Sequence, residues 1–477
     1  MDELADLDAV AQAELVRKGA VTPLELVDAA IARIERHNGA LNALITPLFD
    51  AARAAARSPS LPDGPFRGVP FLLKDLGAEQ CGQPYYCGNK ALREAGHTSP
   101  ADTALGARFR AAGLITLGKT NLPEFGPQPT TQPLAFGDTH NPWNLAHSPG
   151  GSSGGSCAAV AAGLVPIAHA NDGGGSIRLP AGWCGLVGLK PSRGRTAPPP
   201  RWVVRNGVEH VVARSVRDVA VALDAVHGNE PGDLYLLAPP PRAYAADVGA
   251  DPGRLRIGLL TRSPFGDTHR ECVAAADAAA RLLASLGHRV EPAWPEGLFD
   301  PEMPRQTGAL WSVMTAKDLL DLAALLGRPV TAEDVEPYTW ATAERAKRYS
   351  GADYLLASEA QQAYARRVAS WWSTGYDLLL TPTATEPPPR LDELRPDPND
   401  PLRIGRRFGR IAAFTMPWNV TGQPAISLPL HWTPDGLPVG VQLVAEMACE
   451  DVLIRVAAQL EAAAPWSARR PPVLGCR

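Results

Sequence analysis

Short apolar runs alternate along this chain with segments that carry helix-start chemistry, and that alternation restricts the fold to layered α/β. Thr22-Pro23-Leu24-Glu25 predicts a capping-box start with proline in the first turn, and Leu24, Val27, Ile31 and Ile34 then share one helical face. Leu41 to Ile45 and Val69 to Leu73 read as strands, 102–112 as a helix, and Leu114 to Leu117 as the strand after it. Beyond Ser152 come a helix over Gly155 to Gly163, a strand over Leu164 to Ala168, a glycine-rich turn, a turn of helix from Ser176 and a strand over Leu186 to Leu189. Ser215-Val216-Arg217-Asp218 predicts a second capping-box helix. The alternation restarts with a strand over Arg256 to Leu260 and helices over 268–286 and 352–372. Strands over Tyr376 to Leu380, Ala425 to Leu430 and Val439 to Val444 and a helix over 450–463 complete it. Proline-rich stretches at 196–200, 238–241 and 387–400 read as loops, none long enough to separate domains.

Composition narrows the partners. At 477 residues, 45% hydrophobic and 20% charged, the chain has ample material for a large core. A net charge of −4 with no basic stripe argues against nucleic acid, and no apolar run is long enough to span a bilayer. The seven cysteines, Cys81, Cys87, Cys157, Cys184, Cys272, Cys449 and Cys476, are odd in number and lack C-x-x-C spacing. That reads as reduced thiols in a cytoplasmic protein, without a disulfide framework or a zinc site. The acidic start Met1-Asp2-Glu3-Leu4-Ala5-Asp6 shows no signal-peptide core.

Three segments carry chemistry. Asp172-Gly173-Gly174-Gly175-Ser176 leads into Ile177-Arg178-Leu179. Its glycines let a substrate approach the backbone, and amides gathered at a helix start beside a hydroxyl have the make-up of an oxyanion hole. The plainer reading is a tight strand-to-helix turn capped by a serine. Gly150-Gly151-Ser152-Ser153-Gly154 matches G-x-S-x-G formally, but a loop precedes it where a nucleophile elbow needs a buried strand. No Gly-Lys-Ser/Thr follows, so it is not a P-loop. Lys74 ends the apolar run Gly68-Val69-Pro70-Phe71-Leu72-Leu73. Buried, it would be a neutral base; exposed at a strand end, it would be an ordinary surface lysine. His169 and His210 border these segments and read as structural histidines, and no H-E-x-x-H metal motif is present.

Taken together the segments are more specific. Ser148 to Ser156, followed by Asp172 to Ala181 with Ser152 and Ser176 24 positions apart, closely resemble the signature of the amidase signature family. The resemblance extends to Gly68 to Asp75, Gly118 to Gly126, Cys184 to Pro191 and Thr421 to Ala425, and is weakest across about 230–375. It implies one amidase signature domain over 1–477: a large mixed β-sheet between helices, with an N-terminal helical part (1–60), a catalytic core (61–215) and a remainder (216–477).

The same resemblance implies a Ser-cisSer-Lys triad. Ser176 is then the nucleophile, Ser152 the bridging serine after a cis Gly151–Ser152 peptide, and Lys74 the base. Gly173, Gly174 and Gly175 form the oxyanion hole, and Ser153, Asp172 and Arg178 support the loop. Phe125, Gly126 and Gln128 are implied at the substrate, and no metal or organic cofactor is implied. Pocket walls are expected from 80–100, 121–147, 300–350 and 385–415, with Trp143, Trp311, Tyr338, Phe414 and Trp418 as aromatic candidates, core packing being the plainer role for any one of them.

Asn171 departs from the family, standing where many members have threonine. The strings around His169 to Gly175, Lys190 to Arg195 and Val208 to Ser215 resemble the branch of aminohexanoate cyclic-dimer hydrolases, aryl acylamidases and urethanases. That implies a small apolar or aryl amide, a linear or cyclic oligoamide, or a carbamate as substrate, with esters as a side activity. The enzyme would be a monomer or homodimer, without a nucleic-acid or membrane partner. The competing reading is the glutaminase-type subunit of a tRNA-dependent amidotransferase; a phosphate-binding module built on the glycine loops is a third.

Overall fold

The computed structural model describes residues 2–200, 206–397 and 399–472. Eleven strands form one sheet: β1 (Leu44–Pro47), β2 (Pro70–Lys74), β3 (Ile115–Thr120), β4 (Ile167–Asp172), β5 (Val187–Lys190), β6 (Val208–Ala213), β7 (Arg256–Leu259), β8 (Arg289–Pro292), β9 (Leu378–Pro382), β10 (Ala425–Trp432) and β11 (Pro438–Ala445). Their order is β1-β3-β2-β4-β6-β5-β10-β11-β9-β7-β8. The sheet is mixed, parallel along β3-β2-β4 and β9-β7-β8 and antiparallel through its middle. Helices cover it, so the expected sheet between helices is the observed fold.

Strand periodicity sorts the core into two faces. Phe71 and Leu73 of β2 join one apolar cluster with Phe109, Val219 and Val441, while Leu72 joins the other with Ala158, Ala168 and Ala170. Lys74, two residues after Leu72, follows it onto the face packed by the Gly154–Ala161 helix. That helix begins immediately after Ser152 and Ser153, and so brings both serines over the lysine.

Several element bounds differ from expectation for local reasons. The Pro23–Leu41 helix, with its capping box formed, runs through Leu41 and stops on left-handed Asn42, so the strand expected from Leu41 begins at Leu44. The strand expected from Leu164 begins at Ile167. Leu164 N–H instead donates to Ala159 O, closing the preceding helix, and Pro166 has no N–H to offer a ladder. Ser215 accepts from Asp218 N–H as expected, but the reciprocal half of that capping box is absent. The Asp218 carboxylate accepts from Ala9 N–H (2.8 Å) and Val10 N–H (2.9 Å), tying the N-terminal helix to the Val216–Val226 helix. Strands β6 and β8 and the Met303–Leu326 helix were not foreseen. Cys476 lies outside the described residues. Among the described residues, no helix is long and apolar enough to cross a membrane.

Candidate active site

The parallel strands β2 and β4 run side by side and end together, which carries Lys74 and Asn171-Asp172 to one edge of the sheet. The carboxyl ends of parallel strands are the usual place for a site in such sheets. β6 runs antiparallel to β4 with Val208 opposite Asp172, so the residues before it, Asn206 and Gly207, arrive at the same edge.

Lys74 is fully buried, and its Nζ makes three polar contacts: Ser152 Oγ at 2.6 Å, Asn171 Oδ1 at 2.7 Å and Ser153 Oγ at 2.9 Å. Asn171 is fixed in orientation because its Nδ2 donates to Leu76 O at 2.8 Å, leaving Oδ1 to accept. Ser153 starts the Gly154–Ala161 helix without capping it; its hydroxyl donates to Asn171 O at 3.3 Å. Burial lowers the Lys74 amine to about 7, against the weaker opposing pull of Glu209 and Asp172. The peptide between Gly151 and Ser152 is cis.

Asp172 and Arg178 are both fully buried and form a two-point ion pair, Nε to Oδ2 and Nη2 to Oδ1, each at 2.9 Å. The other guanidinium hydrogens go to Thr415 O, Gln442 Oε1 and Asn419 Oδ1, which completes Arg178's five donors. Burial alone would push the Asp172 carboxyl up. The Arg178 guanidinium outweighs it, with help from Lys190 and Asn419, and holds the carboxyl well below the usual carboxylate range.

The same carboxylate accepts from the amides of Gly175 (2.7 Å), Ile177 (3.1 Å) and Arg178 (3.3 Å). It therefore both caps the Arg178–Cys184 helix and pins the glycine loop. Gly175 sits at φ +135°, and a Cβ there would lie 2.5 Å from Thr415 Oγ1, so only glycine fits. A Cβ on Gly173 would meet nothing within 4 Å, because that residue faces the open cleft.

The cleft has a volume of about 730 Å³, and both Ser152 and Ser176 line it. Leu76, Phe125, Trp311 and Met314 make its walls apolar, with Thr315, Asp318 and Thr339 as polar points. Of the residues expected at the substrate, Phe125 and Gly126 line the cleft, whereas Gln128 is buried outside it. Segments 121–147 and 300–350 contribute walls; 80–100 and 385–415 contribute none. Among the five aromatic candidates only Trp311 lines the cleft. Trp143 donates to Cys184 O and packs on Trp432, Phe414 and Trp418 belong to a core cluster, and Tyr338 faces a separate cavity. Leu76, Asn206 and Gly207 were missed, the last two because β6 was not foreseen. His169 and His210 are buried and do not line the cleft; His169 Nε2 lies 3.4 Å from Glu209 Oε1.

A buried lysine against two serines, a charge-pinned glycine loop and an apolar cleft thus stand together at one end of the mixed sheet. The Amidase family model matches residues 25–454, and the chain belongs to the amidase signature family. It is an amide hydrolase. It is 46% identical over 480 residues to the 6-aminohexanoate-cyclic-dimer hydrolase of Paenarthrobacter ureafaciens, covering 98% of this chain and 97% of that one. The solved structure of a 6-aminohexanoate cyclic dimer hydrolase complexed with substrate superposes with a TM-score of 0.95 at 45% identity, over 99% of this chain and 100% of the other. A bacterial aryl acylamidase of the same family superposes with a TM-score of 0.88 at 27% identity, over 99% of both chains.

Proposed function

We propose that the protein hydrolyses small apolar or aryl amides, linear or cyclic oligoamides, or carbamates through an acyl-enzyme on Ser176. The observation that carries this reading is the set of partners around Lys74 Nζ. A neutral amine has two hydrogens and one lone pair. Asn171 Oδ1 takes one hydrogen, since its amide is locked acceptor-inward. Ser153 Oγ takes the other, since its own proton goes to Asn171 O. The lone pair is left to Ser152, at the shortest of the three distances.

In this mechanism Ser152 gives its proton to Lys74 and takes one from Ser176, whose oxygen attacks the amide carbonyl. The Gly175 N–H is already given to Asp172, so the amides of Gly173, Gly174 and Ser176 are assigned to the developing oxyanion, and Gly175 to the loop's shape. Ser152 then returns a proton to the leaving amine, and water releases the acyl group by the same relay. No cofactor enters these steps. The apolar walls formed by Leu76, Phe125, Trp311 and Met314 suit methylene chains or aryl rings. We read the enzyme as a cytoplasmic monomer or homodimer acting on a small molecule. The amidotransferase alternative has less behind it: a glutamyl-tRNA(Gln) amidotransferase chain from Thermotoga maritima matches at 24% identity with a TM-score of 0.76, a likeness of fold alone.

The test is Ser176→Ala together with an organophosphonate label. The variant should keep its fold and lose at least about a thousandfold in kcat. Label should appear on the Ser176 peptide of the wild type and vanish from the variant. Retention of a tenth of the wild-type rate, or label on Ser152, would overturn the assignment. A panel of anilides, cyclic and linear oligoamides, esters and carbamates then ranks the substrates.

A further inference from the structure

Trp311 stands between the catalytic cleft and a second one. The Met303–Leu326 helix lines the catalytic cleft with Trp311, Met314, Thr315 and Asp318. Earlier turns of the same helix line a second cleft, of about 1340 Å³, with Pro304, Thr307, Gly308 and Ser312. Trp311 belongs to both, so the two clefts adjoin across one indole. Pro304 to Asp318 at a helical rise of about 1.5 Å per residue gives a trough on the order of 21 Å long.

The second cleft also lies directly behind the glycine loop. Phe408 and Met416 line it, and a Cβ on Gly174 would stand 3.0 Å from Phe408 Cζ and 3.5 Å from Met416 Cε. The Trp311 and Phe408 rings meet edge to face, with centroids 6.2 Å apart.

The lining changes character along its length. Near Trp311 it is apolar, with Phe408, Met416 and Leu402. Arg345, Arg406 and Arg410 line it as well, and Arg345 Nη2 lies 3.8 Å from where a Gly308 Cβ would stand. Arg406 is paired with Asp400; among the described residues neither Arg345 nor Arg410 has a carboxylate within ion-pair distance, though Arg410 acts on the Glu386 carboxyl from further off. A largely apolar cleft that also carries two guanidinium groups without a close carboxylate partner is complementary to a methylene chain ending in a carboxylate.

We propose that this second cleft is a distal subsite for the carboxylate-terminated arm of a long linear oligoamide or ω-carboxyacyl amide. The chain passes Trp311 and places its carboxylate between Arg345 and Arg410 while the scissile amide lies at Ser176. This rests on the amide-hydrolase mechanism proposed above. The subsite binds and orients and takes no part in bond breaking.

The test compares three substrates: a short neutral anilide, a long chain ending in a carboxylate, and the same chain ending in a hydroxymethyl group. Replacing both arginines, Arg345→Gln with Arg410→Gln, should raise KM for the carboxylate chain about fivefold to tenfold, as expected for two partly exposed ion pairs. kcat should hold, and the other two substrates should be unaffected. The charge-reversed pair, Arg345→Glu with Arg410→Glu, should transfer the preference to a chain ending in an ammonium group. Calorimetric binding of the carboxylate chain to Ser176→Ala protein, with and without the arginines, reads the subsite without turnover. If wild type hydrolyses none of the three, the mechanism fails while the titration still decides the subsite. Equal losses on carboxylate and hydroxymethyl chains, or equal binding with and without the arginines, would overturn it.

Discussion

Replacing Asn171 by aspartate sets a carboxylate where an amide oxygen now stands, 2.7 Å from Lys74 Nζ. The side chain keeps its shape, so the perturbation is almost purely electrostatic. Two unit charges at that distance attract by on the order of 6 kcal/mol at an effective dielectric of about 20, an upper limit of roughly 4 pKa units. Two local features reduce it. Glu209 Oε1 lies 3.5 Å from Asn171 Nδ2 and would repel the new charge, and Leu76 O would lose the hydrogen bond it now accepts at 2.8 Å. A rise of about 1–3 units is therefore expected.

The sign follows from which form is the base. In the proposed relay Lys74 must be neutral to act, and burial holds it at about 7, so kcat/KM of the wild type should fall as pH drops through that value. The new carboxylate favours the ammonium, which moves the acid limb of Asn171→Asp to roughly pH 8–10. At pH 7 the variant should be about 5- to 500-fold slower, and by the top of the shifted limb it should recover to within a fewfold of wild type. The assay is kcat/KM for a neutral anilide from mildly acid to strongly alkaline pH, with circular dichroism as a fold check. A folded variant whose acid limb stays near 7, or whose deficit is the same at every pH, would refute a neutral Lys74 base.

Two further substitutions test the frame around the site. Asp172→Asn leaves the Arg178 charge buried without its partner and should cost about 3–5 kcal/mol in urea unfolding; a loss below about 1 kcal/mol would contradict the pinning role. Because the Asp172 carboxyl is held below its ordinary value, its contribution is fully present above that ordinary value. It is lost only as pH falls through the lower folded value, so wild type and variant should converge in stability only in strong acid. Asp218→Ala frees the amides of Ala9 and Val10 and should cost about 2 kcal/mol of stability while leaving kcat/KM for the anilide unchanged, since Asp218 does not line the cleft; an unchanged urea midpoint would refute the tie.

The sequence was most legible where a single residue type has one physical use. Thr22-Pro23-Leu24-Glu25 formed its capping box, and the run ending at Lys74 became a strand buried along its whole length. It was least legible where a residue serves a partner far along the chain. Asp218 looks like the closing half of a local box, yet caps a helix some two hundred residues earlier. Ser153 opens a helix without capping it, and its hydroxyl serves Lys74 and Asn171. The Met303–Leu326 helix, which walls both clefts, escaped because its buried positions include Thr307, Ser312 and Thr315 while Leu320 is exposed, which blurs the helical stripe. Val208–Ala213 is buried at every position and so shows no alternation to mark it as a strand.

Charge accounting ties these pieces to the proposed chemistry. A lysine buried beside a free carboxylate would keep its proton, and Asp172 is close enough to be one of the groups that pull Lys74 upward. Arg178 matches both oxygens of Asp172 and gives its remaining hydrogens to neutral acceptors. Burial outweighs the pull of Glu209 and Asp172 at Lys74. Asn171 then supplies an acceptor without supplying a charge. On this account Arg178 belongs to the base as much as to the loop. Asp172→Asn should therefore move the acid limb of kcat/KM toward acid pH, because it removes a carboxylate that pulls Lys74 upward and leaves the Arg178 charge uncancelled. Arg178→Met, which leaves Asp172 unpaired, should move it toward alkaline pH in whatever fraction of the protein still folds.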